Sequence, residues 1–340
     1  MTLNSREQVP SLDGYWDTAD KSHSSRHIPC AVHLESWQKL DCGRHGGACL
    51  LLLSAAAQRS VPAPSATREI NSERIHPKMP ATLYVVDAFT NEPFAGNPAA
   101  VCLLENPADE AWMKNVAREM NLAETAFVCP IDDGYSLRWF TPTVEVDLCG
   151  HATLASAFAI WFTGRTTQEE TVRFHTRSGW LTCRRREEWI EMDFPALDAK
   201  PCSIPLDFEA ALGWKPIELF HTSMDYLVEL PSETLLRGLA VNLAELGKLP
   251  VRGVIATAKS DSPNFDFVSR FFAPAVGVDE DPVTGSAHCA LGPYWQSRLG
   301  KTVFTAYQAS RRGGTVKLEV QDQRVLLRGE AILMSKVEFY

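Results

Sequence analysis

Two glycine-led turns carry the chemistry most directly legible in this sequence: Gly150 in DLCGHATLA and Gly285-Ser286 in PVTGSAHCA. Each opens a run of small and apolar residues that reads as a helix. The first backbone N–H groups of such a run have no partner within it, and the helix dipole makes that end attractive to anions. The two turns are matched. RWFTPTVEVD (138–147) is echoed by RFFAPAVGVD (270–279), and after a three-residue insertion Gly150-His151-Ala152 is echoed by Gly285-Ser286-Ala287. If the two copies face each other, both helix ends converge on one cleft, and a small carboxylic acid is the natural ligand. Other chemistry is excluded by spacing. Gly300-Lys301-Thr302 imitates the end of a phosphate-binding loop, but Trp295 stands where its first glycine must be. The chain has no G-x-G-x-x-G after a strand, so no nicotinamide or flavin cofactor is indicated, and it has no G-x-S-x-G elbow of a serine hydrolase. His27, Cys30 and His33 have the one metal-like spacing, which needs a fourth ligand such as Cys42 or Cys49; no metal is assigned.

The elements that must position these turns follow from periodicity. From Leu83 the run LYVVDAF reads as a strand. Asn106 and Pro107 predict an N-cap and first-turn proline, followed by a helix with Trp112, Val116 and Met120 on one face. Strands are expected at 124–129, 135–140, 171–175, 180–184 and 189–194. HATLASAFAIWF (151–162) is apolar nearly all round, the mark of a helix enclosed on every side. A helix wrapped by strands satisfies both patterns, and the repeat implies two such units from one duplicated domain. Pro293 falls inside the second central helix, where a kink is expected.

Size and composition bound the rest. At 340 residues two domains are the default. A formal net charge of −9 without a basic stripe argues against nucleic acid. Nine cysteines, an odd number without CxxC pairs, suggest reduced thiols in a cytoplasm. Residues 1–80 are rich in Ser, Arg, His and Pro; they read as a disordered extension or a start-site artefact, with Met79 a natural first residue. Their one apolar cluster, Ala48 to Ala57, is far short of the about 20 residues a membrane span needs. Domains are expected at 81–195 and 196–340, the first regaining the last strand.

The strings DAFTNEPFAGNPAAV (87–101), NLAETAFV (121–128), FTPTVEVDLCGHATLA (140–155), FFAPAVGVDEDPVTGSAHCALGPYW (271–295) and the Gln308…Arg312-Gly313-Gly314 tail resemble the phenazine-biosynthesis PhzF-like family, in that order. The resemblance runs from about Leu83 to the C-terminus. It implies an α+β, diaminopimelate-epimerase-like fold: two similar domains, each a curved mixed or antiparallel sheet around a central helix, with the active site between them. It implies isomerisation by proton transfer without metal or organic cofactor. Carried over residue by residue, it places the catalytic glutamate of E-T-A-F on Glu124, the histidine of G-H-A-T on His151, and the aspartate and serine of D-P-x-T-G-S on Asp281 and Ser286. Asn97 matches its G-N-P motif, which shapes a turn or touches substrate. Asn97, Gly150, Gly285 and Ser286 are the candidate substrate-binding residues. Moving a proton between carbons needs a group that takes and returns it, with a pKa nearer neutrality than that of a solvated Glu; burial beside a bound carboxylate and Asp281 would push Glu124 that way. Cys149 occupies the place of one of two opposed thiols in related amino-acid epimerases, but Thr284 stands at the matching position, so a two-base racemase lacks half its machinery. An epimerase using Cys149, or a binding protein with the same fold, remain the alternatives. The fold accommodates a homodimer, though no stretch identifies an interface.

Overall fold

The computed structural model describes residues 81–340; the His27, Cys30 and His33 spacing, the Ala48 to Ala57 cluster and the reading of 1–80 lie outside them. The chain first lays down β1 (Ala81–Ala88), β2 (Asn97–Leu103), α1 (Glu110–Met120), β3 (Glu124–Ile131), β4 (Gly134–Phe140), the short β5 (Glu145–Val146), α2 (Gly150–Phe162), β6 (Val172–Thr176), β7 (Gly179–Arg186) and β8 (Trp189–Pro195). It continues with β9 (Lys200–Cys202), α3 (Phe208–Leu212), β10 (Leu219–His221), β11 (Asp225–Glu229), α4 (Glu233–Arg237), α5 (Leu243–Leu246), β12 (Gly253–Lys259), β13 (Phe267–Phe272), α6 (Gly285–Leu299), β14 (Val303–Gln308), β15 (Gly314–Gln321), β16 (Arg324–Gly329) and β17 (Ala331–Phe339). Every strand expected from sequence forms. The first helix starts later than Asn106 and Pro107 suggested: the Asp109 carboxylate accepts from the N–H groups of Ala111 and Trp112, and that cap fixes the first turn at Glu110.

The pairing order occurs twice. In the first half β17, β1, β2, β3, β4, β6, β7 and β8 are successive neighbours, with β2–β3 and β4–β6 parallel and the other pairs antiparallel. In the second half β9, β10, β11, β12, β13, β14, β15 and β16 repeat that sequence, with β11–β12 and β13–β14 parallel. An antiparallel ladder between β8 and β16 joins the two series. Strand β8 ends at Pro195, and the last strand lies along β1.

Successive strand residues face opposite ways, and both faces are covered. In β2, Ala99, Val101 and Leu103 enter the large central core, while Ala100 and Cys102 enter the smaller core beneath α1. In β12, Ile255 faces the central core, and Val254, Ala256 and Ala258 face the core of Phe208, Leu212, Leu236 and Leu246 from α3, α4 and α5. The central core holds both long apolar helices. In α2 every residue from His151 to Trp161 except Phe158 is buried, which is why its sequence is apolar all round.

Helix α6 runs through Pro293 as one element from Gly285 to Leu299. A proline there has no N–H for the carbonyl of Cys289, four residues back. That carbonyl instead accepts the N–H of Leu197 at 3.0 Å, so the segment following β8 is pinned to the second central helix. No helix among the described residues is long and apolar enough to cross a membrane.

Candidate active site

The two glycine-led helix starts meet. A Cβ built on Gly150 would lie 3.6 Å from the Cα of Gly285, and one built on Gly285 would lie 3.6 Å from the Cα of Gly150. Two helix N-termini with small residues at their first positions thus come together, which concentrates unpaired N–H groups of both at one point. The N-caps Cys149 and Thr284 give no side-chain cap, so those donors stay open. The following turns are stitched alike: the Thr153 hydroxyl donates to the Cys149 carbonyl at 2.6 Å, and His288 Nδ1 donates to the Thr284 carbonyl at 2.8 Å. The loops before the helices are also held alike, with one substitution of parts. Arg138 pairs with Glu145; in the second copy Gly277 stands at that place, and Glu280, from the three-residue insertion, receives Arg270.

Glu124 is the first residue of β3, in register with Ala99 of β2, and its side chain is 17% exposed. Its Oε2 lies 3.2 Å from His151 Nε2, off the direction of a linear hydrogen bond, so this buried oxygen has no hydrogen-bond partner. On the far side of the ring, His151 Nδ1 lies 3.1 Å from Asn97 Nδ2 and 3.5 Å from Cys149 Sγ. Asn97 Nδ2 also donates to Asp281 Oδ1 at 2.8 Å and to the Val283 carbonyl at 2.9 Å, crossing from the first half to the second. Asp281 accepts the Thr284 hydroxyl at 2.5 Å. Gln308 braces that turn, accepting from Thr284 N–H at 2.9 Å and donating to the Asp281 carbonyl at 2.7 Å.

Glu124, His151, Asn97 and Asp281 are thus brought into one network. Ser286 sits one residue past the Gly285 contact and belongs to another: its Oγ accepts from Arg252 at 3.0 Å, and Arg252 is held by two bonds, 2.9 and 2.6 Å, to the carboxylate of fully buried Asp225. Sequence reasoning missed Arg252, Asp225 and the bracing role of Gln308. Only the last carried a signal, inside the Gln308 to Gly314 string.

Burial is the largest influence on His151 and opposes a charged ring; the Cys149 sulfur and then Glu124 favour one, and together hold its pKa well above the ordinary histidine value. The sulfur's share exists only for a thiolate, and burial, followed by the Glu124 charge, pushes the Cys149 thiol up. With the thiol protonated, Glu124 alone supports a charged ring against burial. Burial likewise raises Asp281, opposed by His151 and by hydrogen bonds from Thr284 and Asn97. The donor atoms of Glu124, Cys149 and His151 lie within 4.8 Å of one another. That distance would let them share a cation. However, Nδ1 faces the Asn97 amide nitrogen and Nε2 faces Glu124, so the arrangement reads as a proton relay rather than a ligand set.

Two helix starts thus meet beside a largely buried carboxylate–imidazole pair in a duplicated α+β fold. The chain belongs to the phenazine biosynthesis-like (PhzC-PhzF) family, whose model matches residues 86–337. An uncharacterized isomerase of Halalkalibacterium halodurans is 53% identical over 261 residues, covering 76% of this chain and 98% of the relative. The crystal structure of a PhzF-family protein from Enterococcus faecalis superposes with a TM-score of 0.73 at 45% identity, covering 77% of this chain and all of that one. At the level of fold alone, a hydroxyproline epimerase from Agrobacterium vitis matches with a TM-score of 0.53 at 10% identity, covering 77% of this chain and 93% of that one.

Proposed function

We propose that this protein is a cofactor-independent isomerase that moves a proton, and with it a double bond, within a small carboxylate-bearing metabolite. The observation that carries this reading is the contact of Gly150 with Gly285 beside the network that links Asn97 and Asp281 to the Glu124–His151 pair. The substrate carboxylate sits against the N–H groups of the two helix starts, with the Ser286 hydroxyl at its side. Glu124 takes a proton from a carbon conjugated with that carboxylate, and the electron pair left behind spreads into the π-system and onto the carboxylate oxygens. The helix ends stabilise that charge as it develops. Glu124 then returns the proton to a different carbon, so no net proton or electron is exchanged. His151 Nε2 stands beside the glutamate, and Asp281 is tied to that ring through Asn97. The two halves act as two domains closing on one cleft. All six described cysteines are free, in keeping with a cytoplasmic protein.

An epimerase using Cys149 is the second reading, favoured only by the sulfur's 3.5 Å approach to His151 Nδ1. Against it, Thr284 at the matching position binds Asp281, and Cys149 is buried with its thiol pushed up. Incubating the protein with unsaturated and amino carboxylic acids in heavy water, and locating label at carbon, separates the two. Exchange retained in Cys149→Ala and lost in Glu124→Ala supports the isomerase. Exchange lost in Cys149→Ala and retained in Glu124→Ala supports the epimerase.

A further inference from the structure

We propose that Asn97 is a positioning residue that decides which ring nitrogen of His151 carries the proton, keeping Nδ1 bare and Nε2 protonated toward Glu124. The inference rests on the proposed role of the Glu124–His151 pair, but its structural content stands apart from activity.

The argument begins with the side-chain amide. Asn97 is fully buried at the start of β2, and its nitrogen lies within hydrogen-bonding distance of Asp281 Oδ1, the Val283 carbonyl and His151 Nδ1, at 2.8, 2.9 and 3.1 Å. Its oxygen has no partner. Which end of an amide is nitrogen must be argued from its surroundings. Here the Val283 carbonyl decides: it only accepts, so turning the amide over would set two acceptors 2.9 Å apart. The NH2 end therefore faces Nδ1. Its two N–H bonds go to the closer Asp281 Oδ1 and Val283 carbonyl, so a protonated Nδ1 would press its hydrogen against an amide nitrogen that cannot accept it, a conflict that a bare Nδ1 avoids.

The remaining neighbours agree for a protonated thiol. Cys149 Sγ, at 3.5 Å, is the one other group near Nδ1, and a thiol is a weak acceptor. Glu124 lies on the Nε2 side at 3.2 Å, and its negative charge favours the single ring proton on that nitrogen. Asp281 is reached through Asn97, so its carboxylate holds the amide in the orientation that keeps Nδ1 bare. Asn97 thereby links the second half's Asp281 turn to the proton inventory of the first half. With its amide nitrogen engaged within the protein, Asn97 positions His151.

The test is nitrogen NMR on the full-length protein labelled with 15N at histidine, with the His151 signals identified by their loss in His151→Gln. Once the pH has been raised far enough to neutralise the ring, wild type is expected to show one ring nitrogen of bare type, assigned to Nδ1, and one of N–H type, assigned to Nε2. Asn97→Asp, which offers acceptors to Nδ1, is expected to move a proton onto that nitrogen; a merely structural asparagine would leave the tautomer unchanged in any variant that folds. The Nδ1–H tautomer in the neutral wild-type ring overturns the proposal even if no variant folds. An unaltered His151 spectrum in a folded Asn97→Asp also overturns it. The expected tautomer without carbon exchange from any acid would uphold the role of Asn97 and count against the isomerase reading.

Discussion

Replacing Arg252 with methionine probes the one site-adjacent ion pair whose energetics can be worked from the structure. Asp225 is fully buried and receives two parallel bonds from Arg252, whose side chain is 29% exposed and whose Nη2 also holds Ser286. Arg252→Met leaves the carboxylate buried without its cation, a loss of about 3–5 kcal/mol. For a folded unit of this size a kcal/mol corresponds to about 2–4 °C, so the melting temperature should fall by about 6–20 °C. Asp225→Asn should cost less, about 1–2 kcal/mol, because one acceptor remains and the freed guanidinium is hydrated at its exposed edge. The double variant should be more stable than the sum of the single losses, by at least about 1.5 kcal/mol, because neither charge is then stranded. Thermal melts of the four proteins close the cycle. A single Arg252→Met loss below about 1 kcal/mol, or strict additivity, would show that the pair contributes nothing to holding the Ser286 turn.

Other expectations follow from single contacts. Burial lowers the pKa of His288 to about 4, so this histidine folds neutral. The unfolded state then binds the extra proton between about pH 6.5 and 4, and stability present above that window should decline by ~3 kcal/mol as pH falls through it; urea titrations should show the decline, and His288→Gln should flatten it. Gly329→Ala should destabilise by about 1–3 kcal/mol, since a Cβ there would lie 2.4 Å from the Phe89 ring and 2.7 Å from Leu154 Cδ1, both inside the central core; a chemical denaturation midpoint equal to wild type would contradict that packing. Cys149 is buried and its thiol pushed up, while Cys202 is only half-buried. Iodoacetamide at pH 7.5 should modify Cys202 well before Cys149, as read by peptide mass spectrometry.

What could be read in advance was what neighbouring residues specify. The alternation in the first strands, the all-apolar α2 and the doubled strand–turn–helix string are local patterns, and the structure contains each at the expected place. The start of α1 was misplaced because Asn106 and Asp109 both offer capping chemistry three residues apart, and only the folded turn chooses between them. Strand order was not legible: the β8–β16 and β1–β17 ladders join residues far apart in sequence, and an alternating pattern names a face without naming a partner. The purpose of Pro293 was hidden for the same reason, since the donor that takes the freed Cys289 carbonyl belongs to Leu197. In the site, the short contiguous motifs supplied Glu124, His151, Asp281 and Ser286. Asp225, which opens β11, and Arg252, which precedes β12, hold the last of these and carry no distinguishing pattern.

The central claim is that one glutamate both removes and restores the substrate's proton. Its most direct test is the rate of solvent-deuterium incorporation at carbon by Glu124→Gln, measured with whichever acid the wild-type protein labels and with folding verified by thermal melt. The account predicts a fall of at least about 10²-fold, the usual contribution of a positioned acid/base group, in a variant that stays folded. Incorporation at the wild-type rate by a folded Glu124→Gln protein would contradict it.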